Sequence, residues 1–512
     1  MNMKKKVLKW LPVALGLLAT GCSTDNDRMV ADYMYESVYK NGDLSGMIMP
    51  GGEGGKFDAF TDNPFVKASE QPVSTFSVDA DGASYGIMRN YLSSGYWDLS
   101  PSSVRIEEFL NYFTFDYPSP SDGNAIAINA EVGPCPWNAS HHLLRLGIKG
   151  KELKEGEVPQ ANYVFLVDVS GSMDGRDRLD LLKKGLKELL YQLSPADRIS
   201  IITYSGTVKK LLESTPVSEA DKIRDAIDRL SASGSTAGGK ALEMAYEEAL
   251  ANYDPGKNNR IIMGTDGDFN VGVTSKEALV EMVENYARKG IYLTCLGFGM
   301  GNLNDAMMEQ ISNKGNGTYH YIDCEDEIMK VFVHERERFV SVANDVKCQV
   351  TFNADVVESY RLIGYENRVM ENEDFENDEK DAAEIGAGQT ITALYEVETS
   401  LVESQAGDLP LVTFDCRYKP SLSAESIPLQ KTMTTGDVLT TSENCSPDFR
   451  FAAGVAAYGM LLRKSPYKGD ANYALAKELV SGGLSYDPHG YRSQLLKLME
   501  IAAEKDSQRT TR

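Results

Sequence analysis

The chain has 512 residues, which at roughly 150 residues per domain predicts about three domains. Hydrophobic residues make up 42% and aromatic residues 9%, with 25% charged, enough apolar material for packed cores and too much for a wholly disordered chain. Asp and Glu number 75 against 52 Lys and Arg, a net charge of −23, and such an acidic surface repels phosphate backbones, which argues against nucleic acid as a partner.

Lys4, Lys5, Lys6 and Lys9 precede an apolar run from Leu11 to Ala19, too short to span a bilayer, which reads as a secretory signal over residues 1–21. Leu18-Ala19-Thr20-Gly21-Cys22 resembles a bacterial lipobox, so Cys22 is the expected lipidation site. Cleavage there takes the net charge from −23 to −27, since four lysines and no acids are lost. Ser23, Asp25 and Asp27 resemble sorting signals of outer-membrane and surface lipoproteins, which places the protein in the cell envelope, at the outer membrane on its periplasmic face or on the cell surface. The other six cysteines, Cys135, Cys295, Cys324, Cys348, Cys416 and Cys445, allow fifteen pairings, none readable from spacing. Cys295, inside the apolar run 291–297, reads as a buried free thiol.

Residues 22–63 are polar and Gly-rich, a flexible tether whose 40-odd residues span roughly 35 Å. The flanking segment 64–158 holds a predicted strand at 74–78, helices at 85–92 and 102–113, and alternating strands at 125–132 and 143–148. Over 159–340 strands and helices take turns: strands at 163–167, 198–203, 260–263, 291–298 and 318–322, and helices at 179–193, 220–230, 239–253, 276–289, 305–312 and 325–339. That beat predicts an α/β fold with a doubly wound, mostly parallel sheet between helix layers. Residues 341–435 return to strands at 346–352, 390–397 and 409–418, with an acid-rich solvated loop at 371–381. The strands on either side of the α/β unit are expected to form one β-sandwich interrupted by it, against three separate domains on a string. Residues 436–512 are helical at 449–462, 473–480 and 491–503, with a fraying end.

The chemistry concentrates at strand ends of the α/β unit, where open parallel sheets bind ligands. Asp168-Val-Ser-Gly-Ser-Met173 follows its first strand and offers Asp168, Ser170 and Ser172 on one short loop. Thr236 precedes the helix at 239–253, and Asp266 follows the strand at 260–263. Five hard oxygen donors from three loops suit Mg²⁺ or Mn²⁺; helix capping by the two serines would explain one loop only.

These residues resemble the metal-ion-dependent adhesion site of von Willebrand factor type A domains, carried by Asp168-Val-Ser-Gly-Ser-Met173, Thr236-Ala-Gly-Gly239 and Thr265-Asp-Gly-Asp-Phe-Asn-Val-Gly272. The likeness covers about 160–340. Asn63-Pro-Phe-Val66, Pro72-Val-Ser-Thr-Phe-Ser77 and 104–113 resemble the N-terminal flank of bacterial lipoproteins with this domain, and Gly386-Ala-Gly388, 392–397 and 449–453 their C-terminal flank. The resemblance implies that Ser170, Ser172 and Thr236 contact the metal, that Asp168 and Asp266 do so directly or through water, and that an acidic side chain of a partner protein fills the open position. It also implies that the last helix of the domain carries a signal from the metal site to the sandwich.

Other chemistries lack their motifs. Asp266, Asp268, Asn270, Gly272 and Glu277 mimic an EF-hand loop, but Val271 holds the glycine position and a strand precedes it. His334-Glu335 is followed by Arg338 where a zinc-binding HExxH helix needs its second His, so the pair is expected on a solvated helix face. No nucleophile elbow or phosphate loop is present. The expected function is an envelope-anchored, metal-dependent protein-binding module without catalysis. The alternatives are a scaffold or chaperone-like accessory using the metal site for assembly, and an enzyme whose site lies in the flanks.

Overall fold

The strand Ala161–Asp168 is apolar almost throughout and buried at every position, as a strand covered on both faces must be. In the computed structural model it lies at the centre of a six-stranded sheet. The order is Tyr319–Ile322, Ile291–Phe298, Asn258–Thr265, Ala161–Asp168, Arg198–Tyr204, Val208–Pro216. All pairings are parallel except the last. The structure describes residues 57–510, apart from 58, 60, 96–98, 122, 155, 236–238, 268–274, 300–302, 379, 381 and 401–407. The signal, most of the tether and Cys22 lie outside the described residues, which belong to the unit Glu53–Arg512. None of the described helices is long and apolar enough to cross a membrane.

Helices pack on both faces of this sheet. Leu182 and Leu186 of the helix Leu179–Gln192 meet Phe165 and Ile201 on one side, while Tyr246 and Leu279 meet Val164 and Leu166 on the other. The edge strand Val208–Pro216 has no counterpart in the sequence reading. It carries Lys209 and Lys210 outward, and charge of that kind keeps a sheet edge from pairing with other chains.

Both flanks build a sandwich together. A five-stranded antiparallel sheet runs Val66–Lys67, Val357–Ile363, Thr390–Thr399, His141–Gly150, Ile126–Pro134. Facing it, Val73–Ser77 lies between Val369–Met370 and Ser341–Phe352, followed by Pro410–Lys419 and Ile427–Thr434, with Ile385–Gly386 off the path. Each sheet thus contains strands from before and from after the α/β unit, as the interrupted-sandwich expectation requires. Leu144, Leu146, Tyr360 and Tyr395 from one sheet meet Phe76, Val346, Val350 and Phe414 from the other. The helices Pro447–Arg463, Tyr473–Ser481 and Tyr491–Thr510 join Tyr85, Phe109 and Phe113 over Leu143, Ile363 and Leu394, on the outer face of the five-stranded sheet.

Three predicted helices differ. The one at 102–113 divides into a turn at Pro101–Ser103 and a helix at Ile106–Asn111, because Arg105 between them is extended and its guanidinium is buried among carboxylates. The one at 325–339 is helical only over Glu325–Met329, then makes a π-turn at Lys330–His334 and a tight turn at Arg336–Phe339. The cause is Lys330, buried and paired with Glu335 at 2.5 Å, while the Glu335 N–H reaches back to the Lys330 carbonyl at 2.9 Å. Glu335, expected on a solvated face, also pairs with Arg338 at 2.8 Å, and His334 stacks on His489 at 4.0 Å. The final helix continues to Thr510 instead of fraying from 503. In the acid-rich segment, Asp374 pairs with Lys380 at 3.3 Å and the Asn377 carbonyl accepts from Lys347 at 2.6 Å, so part of it is held against the sheet.

Candidate metal centre

In the α/β sheet the strand order reverses between Ala161–Asp168 and Asn258–Thr265, which leaves a crevice at their carboxyl ends. Asp168 ends one of these strands and Thr265 ends the other. The Thr265 hydroxyl donates to Asp168 Oδ2 at 3.0 Å, and the Ser170 N–H donates to Oδ1 at 2.9 Å. Ser170 Oγ and Ser172 Oγ are 3.0 Å apart. Asp266, directly after Thr265, is buried, and Arg178 Nη1 stands 4.0 Å from its Oδ2. Arg178 also donates to the Ser172 carbonyl.

Gly267 completes this turn. Its φ is +85°, its N–H donates to Thr265 Oγ1 at 3.2 Å, and an added Cβ would fall 2.5 Å from the Asn304 nitrogen, so only glycine fits. The third loop approaches from the other side: Ser233 N–H donates to the Val169 carbonyl at 2.7 Å, and Gly171 N–H to the Gly234 carbonyl at 3.0 Å. Thr236 itself lies outside the described residues, as do Asp268, Asn270 and Gly272 of the EF-hand-like run. That run follows the strand Asn258–Thr265, where an EF-hand needs a helix.

Four of the five expected metal residues, Asp168, Ser170, Ser172 and Asp266, are therefore gathered at one crevice. Burial raises the Asp168 carboxyl to about 6; hydrogen bonds from Ser170 and Thr265 oppose this, and the nearby Asp266 charge adds to it. Hydroxyls beside crowded carboxylates form a donor set that fits a hard divalent cation and offers nothing to a soft one. The sequence reading missed Thr265 and Arg178. Thr265 opens the motif at 265–272 and could have been found there; Arg178 sits in a polar loop with no distinguishing pattern.

A second carboxylate cluster joins the flanks to the α/β unit. Oxygens of Asp79, Glu108 and Glu309 lie within 4.8 Å of one another, all buried. Arg368 reaches Asp79 at 3.1 Å, and Arg105 pairs with Glu108, with Asp305 at 2.6 Å and with Glu309 at 3.6 Å. Its members come from segments more than 200 residues apart, so no local motif announces it.

Residues 162–332 match the family model of the von Willebrand factor type A domain, residues 52–145 a model described as von Willebrand factor, and residues 337–504 that of the C-terminal region of "Uncharacterized protein YfbK". The protein of that name from Escherichia coli (strain K12) is 38% identical over 475 residues, covering 87% of this chain and 81% of the relative. This chain belongs to the YfbK family of von Willebrand factor type A proteins. Inter alpha-trypsin inhibitor heavy chain 4 of Mus musculus is 30% identical over 210 residues, 38% of this chain and 21% of that protein. Among solved structures, a von Willebrand factor type A protein from Catenulispora acidiphila is similar with a TM-score of 0.42 at 14% identity, over 72% of this chain and 88% of that one. Domains of this type mediate protein–protein contacts and often hold a divalent metal at their adhesion site.

Proposed function

We propose that this protein is a lipid-anchored envelope protein whose type A domain captures an acidic side chain of a partner protein through a divalent cation, Mg²⁺ or Mn²⁺, without catalysis. The observation that carries the reading is the convergence of Asp168, Ser170, Ser172 and Asp266 at the strand-order reversal, with the two hydroxyls 3.0 Å apart. Ser170, Ser172 and Thr236 would hold the ion through neutral oxygens, with Asp168 and Asp266 behind them. A cation held mainly by neutral groups keeps charge for an incoming carboxylate.

The chain's own residues prepare the site. Thr265 and the Ser170 N–H fix both oxygens of Asp168 and so orient the loop on which the serines stand. Arg178 holds the Ser172 carbonyl and places positive charge at the rim, where it would attract an acidic partner. Cys22 as the lipid attachment point and a position at the outer membrane belong to the same proposal.

Calorimetry with Mg²⁺ and Mn²⁺ tests the metal, and pull-down from envelope extracts with and without chelator tests the partner. Uptake and capture that are both lost in Asp168→Ala support the reading. Unchanged uptake and capture in that variant overturn it. Loss of membrane association in Cys22→Ser tests the anchor.

A further inference from the structure

Among the described residues, one pair of cysteines is directly opposed in a strand ladder. Cys348 on Ser341–Phe352 faces Cys416 on Pro410–Lys419, and the register is unbroken from Lys347↔Arg417 to Phe352↔Val412. The backbone bonds at the end of the strand identify the kind of pair. Phe352 N–H donates to the Pro72 carbonyl, toward Val73–Ser77, and Asn353 N–H to the Leu411 carbonyl, toward Pro410–Lys419. Even-numbered residues from 348 to 352 therefore direct their backbone groups away from the Cys416 strand. Cys348 and Cys416 form a non-hydrogen-bonded antiparallel pair, the kind in which Cα atoms approach to about 4.5 Å and side chains lie closest. That spacing falls inside the roughly 4.4–6.8 Å range of disulfide-linked residues.

The side chains agree with the backbone. Both thiols are free, fully buried and part of the same core between the two sheets. Burial, together with a hydrogen bond to the Cys416 sulfur, holds the Cys348 thiol well above its usual range. No other strand pairing among the described residues sets cysteine against cysteine: Cys295 lies between Met263 and Tyr319 in its sheet, and Cys135, Cys324 and Cys445 lie outside the strands, the Cys445 thiol donating to the Thr441 carbonyl at 3.6 Å.

The geometry points to Cys348 and Cys416 as a disulfide-forming pair that staples the strand leaving the type A domain to its neighbour in the sandwich. The segment closed by the bond, residues 349–415, contains Val357–Ile363 and Thr390–Thr399 of the facing sheet, so one bond ties both layers. Long closed segments restrict the unfolded chain most. The oxidant is a small or protein disulfide. One cysteine thiolate attacks a sulfur of the oxidant and expels its first thiol; the second cysteine attacks the mixed disulfide and expels the other. Two electrons pass to the oxidant, which leaves as two thiols, and the two cysteine protons pass to solvent and the released thiolates. Because the folded core suppresses the thiolate, the bond forms before the sandwich closes or during its opening.

The full chain, reduced and unfolded, is refolded with oxidised and reduced glutathione, blocked with N-ethylmaleimide and digested without reductant. The expected product is a linked peptide pair carrying Cys348 and Cys416, with Cys22, Cys135, Cys295, Cys324 and Cys445 blocked. The thermal midpoint of that product falls on adding reductant, and the midpoint of Cys416→Ser does not respond. Recovery of Cys348 and Cys416 as blocked thiols, or linkage of either to another cysteine, overturns the pairing. A linked pair whose reduction leaves the midpoint unchanged overturns the staple. Mapping on the parent chain decides the pairing even where the variant fails to fold.

Discussion

Around Asp79 the buried carboxylates are met by guanidinium groups of the chain itself, whereas around Asp168 they are met by hydroxyls and a backbone N–H, with one arginine at the rim. Both regions crowd acids away from water, where an unneutralised charge is costly. At the first, charge compensation is internal, and Arg105 and Arg368 lock the N-terminal flank to the helix Asp305–Lys314 and to the sandwich. At the second, burial raises Asp168 as it raises Glu108 and Glu309 at the first, but its neighbours are neutral donors that bring no compensating charge. The same side-chain type thus serves as mortar in one place and, in the proposed function, as an acceptor of an outside cation in the other. The difference lies in which partners the fold brings within reach.

The comparison breaks most visibly at Arg105. Arg105→Ala leaves Glu108, Asp305 and Glu309 without their shared cation in a buried setting, and the expected loss is about 3–5 kcal/mol in denaturant unfolding. A loss under 1 kcal/mol would mean that the acids there are protonated and need no arginine. The second test exchanges the regions' roles. At roughly 100 times its dissociation constant, Mg²⁺ should stabilise the parent chain by about 2.7 kcal/mol and leave Asp168→Asn unmoved. Equal stabilisation of both chains would place the ion elsewhere.

Glu107 sharpens the picture from inside the first region. Burial, with Glu366 nearby, pushes its carboxyl up from 4.5 to about 8, and its Oε2 has no hydrogen-bond partner. A folded pKa above the unfolded one means that the folded state holds its proton more tightly. This contribution to stability is complete below about 4.5 and is lost as pH rises toward about 8. Glu107→Gln should therefore be more stable than the parent at pH 8, by about 2 kcal/mol, and flatten the fall in stability across that window. Identical pH profiles of the two chains would show that Glu107 is charged and solvated in the folded state.

Much of this was legible in the sequence wherever the signal is local. Tyr163 to Val167 is an unbroken β-favouring run because both faces of that strand are covered, and the serine loop after it carries its donors within five residues. Val208–Pro216 was hidden because its exposed edge carries lysines, and Val357–Ile363 because Glu358 and Arg361 interrupt its apolar pattern. The break after Met329 depends on Lys330 finding Glu335 and the rings of Tyr112 and Tyr491, partners that only the folded chain assembles. The cluster around Asp79 is illegible for the same reason, and so is the opposition of Cys348 and Cys416, which six scattered cysteines left among fifteen pairings.

The smallest expected effect separates two jobs of Arg178. At 4.0 Å from the buried Asp266, the part-exposed Arg178 guanidinium would repel a cation entering the crevice, and with solvent screening that charge from the rim the repulsion is about 1 kcal/mol. Arg178→Gln should then tighten Mg²⁺ binding about fivefold in calorimetry while weakening capture of an acidic partner, because the rim loses its positive charge. The hydrogen bond from Arg178 to the Ser172 carbonyl acts in the opposite sense, since it holds the loop on which Ser170 and Ser172 stand. Weaker metal binding in the variant would show that loop positioning outweighs repulsion. It would make Arg178 part of the internal bracing that distinguishes the first region, and the contrast between the two carboxylate clusters would narrow accordingly.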